Sequence, residues 1–266
     1  GLVWLIIALP IISFLVNGVL VRAFIGSNSK YAGYITIAAI GASFVLSLIA
    51  LATVMSDGPL DFETHHWIFI RGVDLSFGLI LDQLSAIMLL VVSGISLLVQ
   101  IYGQAYMEGD KSYTRYFAYM SLFTASMLGL VLARNMIQIF VFWELVGVSS
   151  YLLIGFWMDR PSAAAAAKKA FIMTRFGDFG FLLGILYLYS IDPSYMDVSV
   201  LYQALEGHQI AASVTTWVAL GLFAGAVGKS AQFPLHSWLP DAMEGPTSVS
   251  ALIHSATMVT AGVFLI

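Results

Sequence analysis

The sequence predicts an all-α membrane protein of about eight transmembrane helices, one of them broken. Hydrophobic residues make up 60% of the chain and charged residues 10%, against roughly 25% charged in soluble domains. Several apolar runs reach the roughly 20 residues that a helix needs to cross about 30 Å of hydrocarbon. The alternation over about ten residues expected of a transmembrane barrel strand is missing, and backbone groups that cannot bond to lipid are then satisfied only in helices.

Taken in order, the predicted spans run Leu2–Val21, Tyr31–Met55, Leu79–Tyr102, Tyr116–Ala133, Asn135–Met158, Ala163–Tyr189, Ser213–Leu239 and Thr247 onward. Nothing basic and no small-residue cleavage site precedes the first run, which reads as a retained helix and not a signal peptide. The chain begins with Gly1 and ends at Ile266 inside an apolar run, so part of a longer polypeptide is expected. Between the second and third spans lies a polar loop, Ser56–Gly78, with Gly58, Pro59, Asp61, Glu63, His65, His66 and Asp74. Alternation from Trp67 to Phe77 suggests a hairpin there.

Lysine and arginine sort by loop. Arg22, Lys30, Lys111, Arg115 and Arg160 follow odd-numbered spans, with Lys168 and Lys169 at the start of the sixth helix; only Arg71 and Arg134 follow even-numbered ones. The positive-inside rule then puts the N-terminus on the outer side of the membrane. The chain has no cysteine, which excludes disulfides, thiolate-held iron–sulfur clusters and c-type haem within it. A net charge of −4 with no basic stripe gives no sign of nucleic acid.

The informative residues are the charges inside the spans. Lys229 stands without another formal charge in Ser213–Phe233, and Glu144 lies nine residues into the fifth span, about 13–14 Å along its axis. A charge at that depth costs roughly 2.5–3.5 kcal/mol on insertion scales and marks function by default. Each group's proton occupancy responds to a nearby charge, so an acid and a base on separate helices suggest a proton path. A static ion pair is the alternative for Glu144, and snorkelling to the interface for Lys229. Pro234 frees the carbonyl of Ser230, which predicts a helix break just beyond the lysine, with Ser230, Gln232 and His236 around it.

The sixth span carries Lys168, Lys169, Arg175 and Asp178. Lys168, Arg175 and Asp178 share an arc of about 80°, with Arg175 and Asp178 paired at i, i+3. They read either as proton relay beside Glu144 or, respectively, as topology anchors and a helix contact. On the eighth span Thr247, Ser250, His254 and Thr257 line one face, where the histidine suits proton relay near neutral pH. Ser93, Ser96 and Gln100 on the third span read as helix–helix hydrogen bonding.

The segment "GAVGKSAQFPLHSWLPDAMEGPTSVSALIHSATMVTAGVFLI" resembles the signature of the proton-pumping antiporter-like subunits of respiratory complex I. Upstream, "YFAYMSLFTASMLGLVLARN", "FVFWELVGVSSYLLIGFW" and "KKAFIMTRFGDFGFLLGI" are similar to its large L-type subunit, the NADH dehydrogenase subunit 5 family. That resemblance implies the first half of an antiporter-like inverted-repeat fold, with a three-helix N-terminal segment over 1–111 and a first five-helix repeat over 112–266. It also implies that Glu144 is the family's acid, Lys229 the central lysine on the broken helix, His254 the relay position, and Arg175 and Asp178 its TR-x-GD motif; Lys168 and Lys169 match less cleanly.

The function implied is proton translocation in a subunit of an NADH:quinone oxidoreductase, with no covalent chemistry in this chain. NADH, flavin, iron–sulfur clusters and quinone are expected in partner subunits, and other membrane subunits, antiporter-like ones among them, as neighbours in the bilayer. A bacterial plasma membrane is the expected setting, with the thylakoid and the mitochondrial inner membrane as the other two. Competing readings are an Mrp-type cation/proton antiporter subunit, a related hydrogenase membrane subunit, and, in another class, a structural scaffold. A retinal-type pump with Lys229 as Schiff base fits the Pro234 break poorly.

Overall fold

A computed structural model describes residues 2–62, 64–70 and 73–266, without the side chains of 66–70 and 73–76. Glu63 of the polar loop and Arg71 of the charge count lie outside the described residues. The fold is all-α, as expected of a membrane protein, with a small β-structured loop at one end. The helices are α1 (Leu2–Leu15, continuing as a π-helix through Val16–Ile25), α2 (Tyr31–Asp57), α3 (Gln83–Tyr106), α4 (Tyr113–Val131), α5 (Met136–Ile154) and α6 (Pro161–Ile191). There follow the short α7 (Val198–Glu206), α8 (Ala212–Lys229), α9 (Trp238–Asp241), α10 (Thr247–Ser255) and α11 (Met258–Leu265).

Among the described residues, 7 spans are long and apolar enough to cross a membrane. These are α1 with its π-helical continuation, α2, α3, α5, α6, α8, and α10 with α11. The predicted fourth span, α4, is as long as α5 but less apolar. It occupies the middle of the bundle and is buried almost throughout, so its polar side chains meet protein; Thr124 and Ser126 donate to the carbonyls of Met120 and Leu122 on their own helix.

Local chemistry set boundaries that hydropathy blurred. Asp82 caps α3, its carboxylate accepting from the Ser85 amide at 2.7 Å. The preceding Ile80–Leu81 pairs antiparallel with Leu60–Asp61, so the third span starts later than predicted. Asn135 likewise caps α5 by accepting from the Gln138 amide. The predicted hairpin is present as β2 (His65–Ile70) against β3 (Val73–Phe77), and β1 (Leu60–Asp61) with β4 (Ile80–Leu81) closes the loop. Helix α7 falls in a stretch that the sequence reading left outside the spans; Asp197 caps it through the Ser199 and Val200 amides.

The loops gather at the two ends of the bundle. At one end Lys30 pairs with Glu108 at 2.6 Å, Thr114 donates its amide to the Ser27 carbonyl, and the Trp157 indole reaches Asp110. At the other, Arg134 ties three segments together. It donates to Asp197 at 2.8 Å and to the Phe62 carbonyl at 3.1 Å, while the Val198 amide donates to the Arg134 carbonyl. The hydrogen bond to Asp197 raises the Arg134 pKa above its already high ordinary value.

Between the two ends the helix seams differ. Ser13, Thr36 and Ser121 are buried and pin α1, α2 and α4 through hydroxyl contacts of 3.0–3.1 Å. Helices α6 and α8 meet on glycine: a Cβ at Gly177 would lie 2.5 Å from the Ala224 carbonyl, and one at Gly221 would lie 2.8 Å from that of Gly180. Without a hydrophobic drive between helices in lipid, such small residues let backbones approach closely. This seam brings α6 and its charges against the end of α8.

Candidate functional site

Lys229 closes α8 and is fully buried. Beyond it the chain leaves the helix at Ser230, Ala231 adopts a positive φ of 51°, and helix resumes only at Trp238. The predicted break is present and starts before Pro234. Ser230 caps the gap by donating to the Val259 carbonyl of α11 at 2.7 Å. The freed Gly228 carbonyl accepts the Trp238 indole N–H at 3.0 Å. Gln232 and His236, expected around the break, are exposed, with the His236 ring beside Phe233.

Four charges form a row across three helices. Glu144 on α5 pairs with Arg175 on α6. Arg175 NH1 lies 3.3 Å from Asp178 Oδ2, and that same oxygen lies 3.4 Å from Lys229 Nζ on α8. The signs alternate and the formal charges cancel within the row, the arrangement in which charges are tolerated in a low-dielectric interior. Asp178 and Lys229 are at most 2% exposed, while Arg175 and Glu144 keep 23% and 30% of their side chains accessible.

The sequence reading couples Glu144 and Lys229 as an acid and a base on separate helices; in the structure Arg175 and Asp178 lie between them. The cause is rotation about α5. At about 100° per residue, Trp143 and Gly147 share the face toward Asp178 and Lys229, and Glu144, turned away from that face, meets Arg175. A Cβ on Gly147 would lie 2.6 Å from Lys229 Nζ and 2.8 Å from Arg175 NH2, so the lysine meets the bare backbone of α5 instead of its acid.

Two tryptophans flank the row, and sequence reasoning passed over both. Trp143, fully buried, donates its indole N–H to Asp178 Oδ1 at 2.5 Å, and its ring centre lies 5.8 Å from Lys229 Nζ. Trp238 binds the Gly228 carbonyl and sets its ring 6.1 Å from that of His254. The available signal was chemical: an indole buried in a membrane bundle needs an acceptor for its N–H.

His254 lies on α10 with both ring nitrogens buried and unpartnered among the described residues, and no direct contact joins it to Lys229. The expected stripe Thr247, Ser250, His254, Thr257 is interrupted. The helix breaks after Ser255, where Thr257 Oγ1 takes up the Leu252 carbonyl at 2.6 Å and Ser255 Oγ that of Ala251. Hydroxyls competing for backbone acceptors disturb helices in this way. Thr247 is exposed at the bundle end beside the Tyr106 hydroxyl. Lys168 is exposed and stands away from the row, whereas Lys169 pairs with Asp241 at 2.7 Å. Of the six sequence candidates, the structure therefore joins Glu144, Arg175, Asp178 and Lys229, sets His254 beyond Trp238, and leaves Lys168 outside. Among the described residues no group of three or more metal-ligating side chains gathers.

A glycine-seamed helical bundle with two interrupted spans and a neutralised row of charges among its helices defines an integral membrane protein. The chain belongs to the NADH:quinone oxidoreductase/Mrp antiporter transmembrane family, whose model matches residues 133–266. A second model, the N-terminus of NADH-ubiquinone oxidoreductase (complex I) chain 5, matches residues 67–117. The chain is 46% identical to NAD(P)H-quinone oxidoreductase chain 5 of Synechocystis sp., covering 100% of this chain and 40% of that one. With the chloroplastic subunit 5 of Physcomitrium patens it is 46% identical, over 99% of this chain and 38% of the relative. It thus spans about two fifths of these relatives. Among solved structures, a chain of the Mrp complex from Dietzia sp. superposes with a TM-score of 0.83 at 29% identity, over 100% of this chain and 28% of that one.

Proposed function

We propose that this chain is the proton-conducting first half of a subunit 5 of an NAD(P)H:quinone oxidoreductase, embedded among other membrane subunits. The row Glu144–Arg175–Asp178–Lys229 carries this reading, because one oxygen of Asp178 is nearly equidistant from two cations. While Asp178 faces Lys229, the lysine holds its proton. When Asp178 is drawn toward Arg175, the lysine loses its counter-charge and releases the proton toward His254 through bridging water. A shift of one pKa unit corresponds to about 1.4 kcal/mol, so an ångström-scale change of partner in a poorly screened interior is energetically sufficient. The redox cofactors and quinone belong to partner subunits; the chain has no cysteine to hold a cluster. Its basic end, with Lys30, Lys111 and Arg160, faces the cytoplasm or its equivalent, in a bacterial plasma membrane or a thylakoid.

The Mrp structure favours a second reading, cation/proton exchange without redox chemistry, since it shares the whole fold of this chain. Higher identity to the quinone oxidoreductase subunits supports the first. Vesicles carrying the assembled complex separate the two. Proton uptake that follows NADH or NADPH oxidation and persists without sodium is the expected result. Sodium-driven proton exchange in the absence of an electron donor would assign the chain to the antiporters.

A further inference from the structure

Trp143 precedes Glu144 in sequence but turns its side chain into the junction of α5, α6 and α8. Its indole has one donor and no acceptor, and that donor goes to Asp178 Oδ1 at 2.5 Å. Phe181, edge-on at 5.1 Å, holds the ring from α6. The other carboxylate oxygen is left to Arg175 at 3.3 Å and Lys229 at 3.4 Å.

A carboxylate free to turn beside a guanidinium offers it both oxygens, because the two-bond fork is the stronger pairing. Asp178 lies one turn beyond Arg175 on the same helix and within reach of its guanidinium, which also pairs with Glu144. Such a fork would draw the carboxylate away from Lys229 and leave a buried ammonium without its anion. The fork would require Oδ1 to turn from the indole toward Arg175, so the Trp143 hydrogen bond opposes it.

We propose that Trp143 is a positioning residue: by engaging one oxygen of Asp178 it opposes a two-oxygen pair with Arg175 and keeps the second oxygen shared between arginine and lysine. The inference rests on the proton path proposed above. A packing role alone would need the ring and not the N–H.

The test uses the assembled complex in lipid vesicles. Trp143→Phe keeps an aromatic wall beside Lys229 and removes the donor. Benzothienylalanine at position 143 keeps the bicyclic shape with sulfur in place of N–H, and decides the matter if the phenylalanine variant does not assemble. Two readouts are taken: the infrared carboxylate band assigned to Asp178 by its loss in Asp178→Asn, and proton uptake per electron donor oxidised. Both variants are expected to shift the Asp178 band and lower uptake roughly ten- to a hundredfold, the scale of one hydrogen bond to a charged group. An unmoved band, or a shifted band with wild-type uptake, overturns the proposal. Should Asp178→Asn itself translocate protons at the wild-type rate, the proton path fails, and the infrared band alone then decides whether Trp143 fixes Asp178.

Discussion

Replacing Asp178 with asparagine removes the one carboxylate within 4 Å of the fully buried Lys229 ammonium among the described residues. At 3.4 Å and an effective dielectric constant near 20, the direct attraction is about 5 kcal/mol. Breaking a buried pair from one side costs about 3–5 kcal/mol, because the remaining charge stays desolvated. Lys229→Met is different. Asp178 retains Arg175 and the Trp143 indole, so its charge remains countered, and the expected loss is about 1–2 kcal/mol. The order is thus fixed by geometry: Asp178→Asn destabilises more than Lys229→Met, and the double variant recovers part of the Asp178→Asn loss. A double-mutant cycle on unfolding in mixed micelles measures this, with an expected coupling of about 1–3 kcal/mol. Zero coupling, or Lys229→Met as the more damaging change, refutes the shared-oxygen arrangement.

Other consequences follow from single contacts. Gly147→Ala puts a methyl group where Lys229 Nζ and Arg175 NH2 approach to 2.6 and 2.8 Å; it should cost about 1–3 kcal/mol in thermal unfolding and slow proton uptake. Trp238→Phe strands the Gly228 carbonyl at the helix break and should cost about 1–3 kcal/mol, with faster amide exchange confined to residues near 228–238. Gly177→Ala forces α6 from α8, because the added carbon would lie 2.5 Å from the Ala224 carbonyl; loss of assembly on native gels is expected. Arg134→Ala frees the loops that reach Asp197 and Phe62, so protease cleavage near 57–62 and 192–198 should rise while the helices stay protected.

The sequence made the spans legible because apolar run length is a direct consequence of bilayer thickness. It was less informative where local hydrogen bonds decide: Asp82 moved the start of α3, and Thr257 and Ser255 broke a span that hydropathy shows as continuous. The break beyond Lys229 was readable from Pro234, though the carbonyl that needed rescue was that of Gly228, supplied by Trp238. Glu144 and Lys229 stand out because a lone charge in lipid is conspicuous, and Arg175 and Asp178 because they pair at i, i+3. Their order was not legible, since helical periodicity gives a residue's face and not its neighbour on another helix. Hence Glu144 was matched to Lys229, with Arg175 and Asp178 beside the pair instead of between its members, and Lys168 was grouped with them on a shared arc that at its own level is exposed.

On the proposed path Lys229, held by Asp178, carries the translocated proton. Proton uptake per NADH oxidised in vesicles bearing Lys229→Ala, compared with wild type at equal assembly, tests it directly. Uptake reduced at least tenfold with electron transfer still running is the expected result; undiminished uptake contradicts it.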